Sequence, residues 1–170
     1  MAKFNSLLVR STVEGDGRHA GYTPTDTMLP PTLHDLLRAR LDRLGGARVV
    51  AQTASVIGRS FGVPLLALVS QIPEPQIRAA LHGLVDAGMV HAQPGAGAQR
   101  YAFRHALMRD AAYESLLRSE RVRLHRAVGS ALELSAEHGE TVAAELLAMH
   151  FRAGEQPALA LAQYSKAGAE

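Results

Sequence analysis

The chain changes from a strand pattern to a helical pattern within RYAFRHALMRDAAY, the stretch Arg100–Tyr113. Tyr101 and Phe103 alternate with small or charged neighbours, as on a half-buried strand, whereas the apolar residues after Ala106 follow helical spacing. His105 stands at this change, so we expect it near the N-terminus of a helix. A helix N-terminus presents unpaired N–H groups and partial positive charge, which suit an anion such as phosphate.

Helical patterns precede this stretch. Thr32 and Asp35 resemble a capping box, with Asp in place of the usual Glu or Gln, and therefore predict a helix start. The expected order is a helix after Thr32, helices over Ala47–Ile57, Val63–Ser70 and Glu74–Ala87, and strands over Met89–Gln93 and Gln99–Arg104. Gly58–Gly62 is expected to be a connector. This order of helices followed by a two-stranded hairpin is that of a winged-helix domain.

Helical patterns also follow it. We expect helices over Ala106–Arg118 and Glu120–Glu137, and then a helical pair over Glu140–Ala153 and Gln156–Ala169. Small and aromatic residues of this pair fall at the spacing of a tetratricopeptide repeat (TPR): Leu147, Ala148, Phe151, Ala160, Tyr164 and Ala167. A lone repeat cannot bury its hydrophobic face.

The predicted fold is therefore mainly α, with a winged-helix domain followed by helical hairpins of TPR type. We expect a poorly ordered segment at 1–29, the winged-helix domain at 30–118, and a helical linker with an incomplete TPR-like repeat at 119–170. The apolar face left exposed by the incomplete repeat predicts binding of a protein partner, with Phe151 and Tyr164 as the candidate binding residues. The same face also favours self-association.

Composition excludes several classes of protein. The 170 residues include no cysteine, which rules out disulfides, thiolate zinc sites and cysteine nucleophiles. A net charge of +2 is close to neutral for this length and gives no argument for a polyanionic partner. No apolar run approaches the roughly 20 residues of a membrane span. We expect a cytoplasmic protein without a membrane partner.

Catalytic motifs are absent from the sequence. Lys3 and Lys166 are its only lysines, and neither follows glycine or precedes serine or threonine, so there is no Walker A site. The serines lack a nucleophile-elbow setting, and the eight histidines show no metal-ligand spacing. We expect no enzymatic activity, no metal and no cofactor in the isolated chain.

Four segments resemble those of a known family. They begin at Leu29, and the last of them continues past Arg126. They are LPPTLHDLLRARLDRL, AQTASVIGRSF, YAFRHALMRDAAYESLL and RVRLHRAVGSALE. In this order they resemble the winged-helix region of STAND-type signal-transduction ATPases. The nearest group is that of bacterial multidomain regulators, in which an adenylate cyclase or a DNA-binding output accompanies an AAA-like ATPase and TPRs.

The resemblance implies a role in regulation. In that family an ATPase core precedes the winged helix and repeats follow it, but the P-loop and the cyclase are missing here. The chain would then be a non-catalytic fragment that couples the ATP or ADP state of an upstream ATPase domain, in the parent protein or on a separate chain, to a protein-binding repeat region.

The resemblance also assigns a role to His105. Related ATPases carry a Met-His-Asp motif whose histidine contacts the β-phosphate of the bound nucleotide. Here Arg104 replaces the methionine and Ala106 the aspartate, while His105 is kept. Arg104 and Arg109 are candidates to assist the phosphate. The alternatives are a capping or partly buried His105 with a structural hydrogen bond, and arginines that are solvated or paired with carboxylates such as Asp110 and Glu114.

A winged helix that binds DNA is the second hypothesis. The helix Glu74–Ala87 would enter the major groove, and its contact residues would be Gln76, Arg78 and His82. Glu74 and Asp86 of this helix would repel phosphates, and the helix offers few cations, so DNA is disfavoured as a partner. The basic cluster within 118–126 is spread around its helix, which favours a solvated face or a docking surface over a nucleic-acid patch.

Overall fold

The computed structural model describes residues 32–95 and 99–167. The predicted segment 1–29 and the hairpin tip at 96–98 lie outside the described residues. Most of the described chain is helical, with a small antiparallel sheet. The elements in order are α1 (Leu33–Asp42), α2 (Gly46–Ile57), β1 (Ser60–Gly62), α3 (Val63–Ser70), α4 (Glu74–Asp86), β2 (Val90–Gln93), β3 (Arg100–Phe103), α5 (Ala106–Glu114), α6 (Arg118–Glu137), α7 (Ala144–Ala153) and α8 (Pro157–Ala167).

Helix α1 begins with the predicted capping box. The Thr32 hydroxyl accepts a hydrogen bond from the Asp35 N–H at 3.2 Å, and the Asp35 carboxylate accepts one from the Thr32 N–H at 3.1 Å. The spacing of the leucines in this helix predicts one apolar stripe, and this prediction is only partly correct. Leu37 is buried, but Leu33 and Leu36 are 60% and 54% exposed, because the described residues place no neighbour over the first turn of the helix.

The sheet has three strands, so the prediction of a two-stranded wing is incomplete. The strand order is β1-β3-β2, and both pairings are antiparallel. The predicted connector at Gly58–Gly62 contains β1, whose Phe61 is buried with ring centroids 6.3 Å from Tyr101 and 5.7 Å from Phe103. These contacts hold a strand of three residues, which is too short to show a period of two in the sequence.

The main hydrophobic core is shared by α1 to α6 and the sheet. Its largest fully buried side chains include Phe61, Leu66, Leu81 and Phe103. The strongly apolar sequence of α3 predicts a helix that is buried on most sides. This prediction is wrong, because Leu68 is 58% exposed and the helix contributes one face only. A second cluster joins α7 and α8 to α6 and consists of Leu147, Phe151 and Ala160, packed against Leu132 and Val142.

The helices after the sheet differ from the expected ones mainly at their ends. α5 ends at Glu114, α6 begins at Arg118, and α7 begins at Ala144. All the described residues belong to one compact unit, within which α6 contacts α2, α3 and α7. Within the described residues, no helix combines the length and the apolar character needed to cross a membrane.

Candidate functional site

His105 lies at the N-cap of α5, which confirms its predicted position at a helix N-terminus. Its backbone is extended, with φ −135° and ψ 146°, and its carbonyl accepts a hydrogen bond from the Met108 N–H at 3.1 Å. The imidazole is exposed and does not cap the helix. Among the described residues, no group forms a hydrogen bond with this ring, so its two nitrogens face solvent at the positive end of α5.

Arg104 and Arg109 have different surroundings. Arg104 is exposed beside His105, and its backbone N–H donates to the Met89 carbonyl at 3.0 Å, which extends the β2–β3 pairing. Arg109 is half-buried and donates from Nε to the Ser55 carbonyl of α2 at 3.2 Å. Its guanidinium lies 3.7 Å from Asp110, the carboxylate considered as an alternative partner. Arg109 therefore joins α5 to α2.

A buried chain of polar side chains links α5, α6 and α7. The Tyr113 hydroxyl lies 3.0 Å from Nε2 of His125, and Nδ1 of His125 lies 3.0 Å from Nδ1 of His150. Nε2 of His150 is buried without a hydrogen-bond partner among the described residues. The sequence did not lead us to predict this hydrogen-bond network. The available signal was that each histidine lies on an apolar helix face, His125 beside Leu124 and His150 three residues after Leu147.

Burial keeps both histidines of this chain neutral. His150 is fully buried, and desolvation, followed by the charge of His125, lowers its pKa to about 4. Desolvation is also the main cause that lowers the pKa of His125, and the Arg109 guanidinium lowers it further. Arg121 adds positive charge nearby, with its guanidinium carbon 4.9 Å from the centre of the Tyr113 ring. This network of Tyr113, His125 and His150 is suited to holding α5, α6 and α7 together while both histidines are neutral.

The arginines at 118–126 form hydrogen bonds or ion pairs within the fold, and their use as a solvated face or a docking surface stays a prediction. Arg121 donates to the carbonyls of Leu116 and Glu114 at 3.1 and 3.0 Å. The other three arginines have partners in a carboxylate or a carbonyl: Arg118 with Glu155, Arg123 with Glu120, and Arg126 with Gly154. No group of three or more His, Cys, Asp or Glu residues in the described part of the chain could hold a metal ion.

Phe151 and Tyr164, the candidate protein-binding residues, have different environments. Phe151 is completely buried, and its ring fills the space beside Gly129 of α6. The expectation that Phe151 contacts a partner therefore needs correction, because its ring packs α7 onto α6. Tyr164 is 42% exposed and shares the surface of α8 with Leu161, which is 68% exposed.

Comparison with known proteins gives one distant relative. The chain is 35% identical over 98 residues to a protein of Rhizobium meliloti (strain 1021) that is described as uncharacterized. The alignment covers 57% of this chain but only 10% of the relative. No family model matches the chain, and no solved structure matches it. This chain therefore spans a small part of the length of its relative.

Proposed function

We propose that this chain is a non-catalytic regulatory module of a STAND-type ATPase. In this proposal α1 to α5 and the sheet act as a winged-helix domain, and α7 and α8 act as a TPR-like hairpin. The order of helices and strands supports this assignment, as does the resemblance of the Leu29–Arg126 region. The ATPase core is the partner on one side, and a protein bound through α8 is the partner on the other.

The exposed imidazole of His105 at the N-cap of α5 is the observation that carries the proposal. The ring is free of protein hydrogen bonds in the described part of the chain and lies where the backbone of α5 attracts anions. A phosphate of ATP or ADP held by the ATPase core would accept a hydrogen bond from it. Such a charge-assisted bond contributes about 1.5–3 kcal/mol, which biases a two-state closure about tenfold or more.

The contacts of α5 offer a route from this site to the repeat region. Arg109 attaches α5 to the Ser55 carbonyl, and Tyr113 attaches it to His125 of α6. His125 in turn contacts His150 of α7. A displacement of α5 on nucleotide release would therefore change the contacts that hold α7. In this proposal, nucleotide release alters the α7–α8 surface through these polar contacts.

Nucleotide retention tests the proposal. The chain is joined to a P-loop ATPase core of this class, loaded with fluorescent ADP, and the dissociation rate is measured after excess ADP is added. We expect His105→Ala to raise the rate about tenfold, the factor that corresponds to one charge-assisted hydrogen bond. His82→Ala removes another exposed histidine, on α4, and should leave the rate unchanged. Equal rates for wild type and His105→Ala would contradict the sensing role.

DNA binding remains the alternative, and the surroundings of α4 weigh against it. Arg78, the single arginine of that helix, donates to Gln99 at 2.7 Å and to Glu74 at 3.1 Å. Its charge is therefore offset by a carboxylate of the same helix. A duplex-DNA shift at sub-micromolar protein concentration that weakens steeply with salt and is lost in Arg78→Ala would favour DNA binding over nucleotide sensing.

A further inference from the structure

In the described part of the chain, no strand pairs with the outer edge of β1, and this edge borders a cavity. Phe61 is paired with Tyr101 of β3, and the flanking bonds join the Arg59 carbonyl to the Phe103 N–H at 3.0 Å and the Val63 N–H to Gln99 at 3.3 Å. Because bonding alternates along an antiparallel strand, the backbone groups of Ser60 and Gly62 point away from β3. Outside the β1–β3 ladder, no backbone hydrogen bond among the described residues involves the Ser60 N–H, the Ser60 carbonyl or the Gly62 N–H.

The cavity beside this edge has a volume of about 700 Å³, within the usual size of ligand pockets. One wall is formed by β1 and α3, and the other by α6, the connection after it, and α7. Ser60 and Gly62 line it together with a group of apolar side chains: Leu65, Leu68, Leu132, Val142 and Leu146. Leu68 is 58% exposed and Leu146 is 38% exposed, so apolar surface on both walls faces the opening.

Charged side chains at the opening of the cavity restrict how a charged ligand can bind. Arg100 lies opposite Gly62 in the β1–β3 pairing and lines the cavity. Its guanidinium lies 3.5 Å from the Ser60 hydroxyl, and no carboxylate within the described ranges forms an ion pair with it. Glu140 lines the cavity from the α6–α7 connection. A carboxylate of a bound molecule is therefore attracted to the sheet side and repelled from the Glu140 side, which fixes its orientation.

We propose that this cavity binds an extended peptide of a partner protein, which adds a strand to the free edge of β1. Free backbone donors and acceptors at alternate residues are the partners that a peptide backbone needs, and helical ligands cannot use them. Successive side chains of a strand point to opposite faces, so an apolar side chain at every second position would enter the cavity. A carboxylate on the peptide would meet Arg100. This binding is independent of nucleotide sensing at His105.

Selection from a random library tests the proposal with the full chain. Phage-displayed dodecapeptides are selected on the immobilised protein, and the enriched sequences are synthesised with a fluorescent label. We expect alternating apolar residues and an acidic residue in the enriched peptides. Their affinity, measured by fluorescence anisotropy, should fall about tenfold or more for Leu68→Glu and for Arg100→Glu, as for central interface residues. Leu36→Glu, which changes a leucine of α1 that is 54% exposed, should bind as wild type.

N-methylation of the peptide tests the backbone bonds separately. Two variants of the enriched peptide are methylated, one at the odd-numbered amides and one at the even-numbered amides. One variant should lose binding and the other should bind nearly as well as the parent peptide, because only every second amide faces β1. The proposal would be overturned if both methylated variants kept their affinity or if the bound peptide were helical. It would also be overturned if the peptides bound Leu68→Glu and Arg100→Glu as well as wild type, or if no peptide were enriched.

Discussion

The Nδ1 atoms of His125 and His150 lie 3.0 Å apart in the interior between α6 and α7. One nitrogen must donate a proton and the other must accept it, because two N–H groups cannot face each other at this distance. His125 also contacts Tyr113 of α5, so the pair connects the part of the chain that carries His105 to the helical hairpin α7–α8. The state of this pair bears on both the stability of the fold and the proposed coupling.

Acid should weaken the fold through these histidines. Burial lowers the pKa of His150 to about 4 and also lowers that of His125, while an unfolded histidine titrates near 6.5. The unfolded chain therefore binds more protons between about pH 6.5 and about pH 4, and stability is lost as pH falls through this window. For His150 the slope within this window is about 1.4 kcal/mol per pH unit, so this residue accounts for about 3 kcal/mol.

Urea denaturation at a series of pH values measures this effect. His150→Phe should reduce the dependence of the unfolding free energy on pH in that window, whatever its effect on stability at neutral pH. His82→Phe, which replaces an exposed histidine of α4, should retain the wild-type slope. The same slope in His150→Phe as in wild type would contradict the assignment.

Two glycines inside helices should respond to alanine in opposite directions. A Cβ at Gly129 of α6 would lie 2.8 Å from Cε1 of Phe151, whose ring is completely buried. Gly129→Ala should therefore destabilise the protein by about 1–3 kcal/mol. A Cβ at Gly83 of α4 meets no atom within 4 Å, and Gly83→Ala should stabilise by about 0.4–1 kcal/mol. Thermal denaturation of both variants provides the comparison, and a stabilised Gly129→Ala would refute the close packing of α6 on α7.

Phe151 and Tyr164 should separate stability from partner binding. Phe151→Ala removes a fully buried ring and should cost about 3–5 kcal/mol of unfolding free energy. Tyr164→Ala alters a half-exposed ring and should change stability much less. If α8 binds a protein partner, Tyr164→Ala should weaken that binding in a pull-down with the fold intact by circular dichroism. A large loss of stability in Tyr164→Ala would show that its ring is needed for packing.

The capping box at the start of α1 should control local opening of that helix. Thr32→Ala removes the acceptor of the Asp35 N–H and should cost about 1 kcal/mol at the helix end. Thr32→Ser keeps a hydroxyl at the same place and serves as the matched control. Amide hydrogen exchange of Asp35 should be about fivefold faster in Thr32→Ala, the factor equivalent to that free energy. Unchanged exchange would mean that the box does not hold the first turn.

Much of the helical structure was predictable because its signals are local. The prediction of α3 at Val63–Ser70 is confirmed at both ends, and the predicted bounds of α2 and α4 differ by one residue. A capping box, glycines after helices and prolines in first turns act within a few residues of the backbone they control. The change from an alternating to a helical pattern is also a local signal, and it placed His105 at the start of α5.

Contacts between residues distant in the chain were decided by tertiary packing. β1 exists because Phe61 is buried against β3, and a strand of three residues has no periodicity to read. Arg109 donates a hydrogen bond to the carbonyl of Ser55, which lies 54 residues earlier. His125 forms a hydrogen bond with His150, which lies 25 residues later. Phe151 followed a repeat pattern, yet its burial depended on a glycine of another helix. Hydrogen bonds and caps within one turn of backbone are determined by neighbouring residues in the sequence. The partners of buried polar groups and rings depend instead on which helix faces tertiary packing brings together.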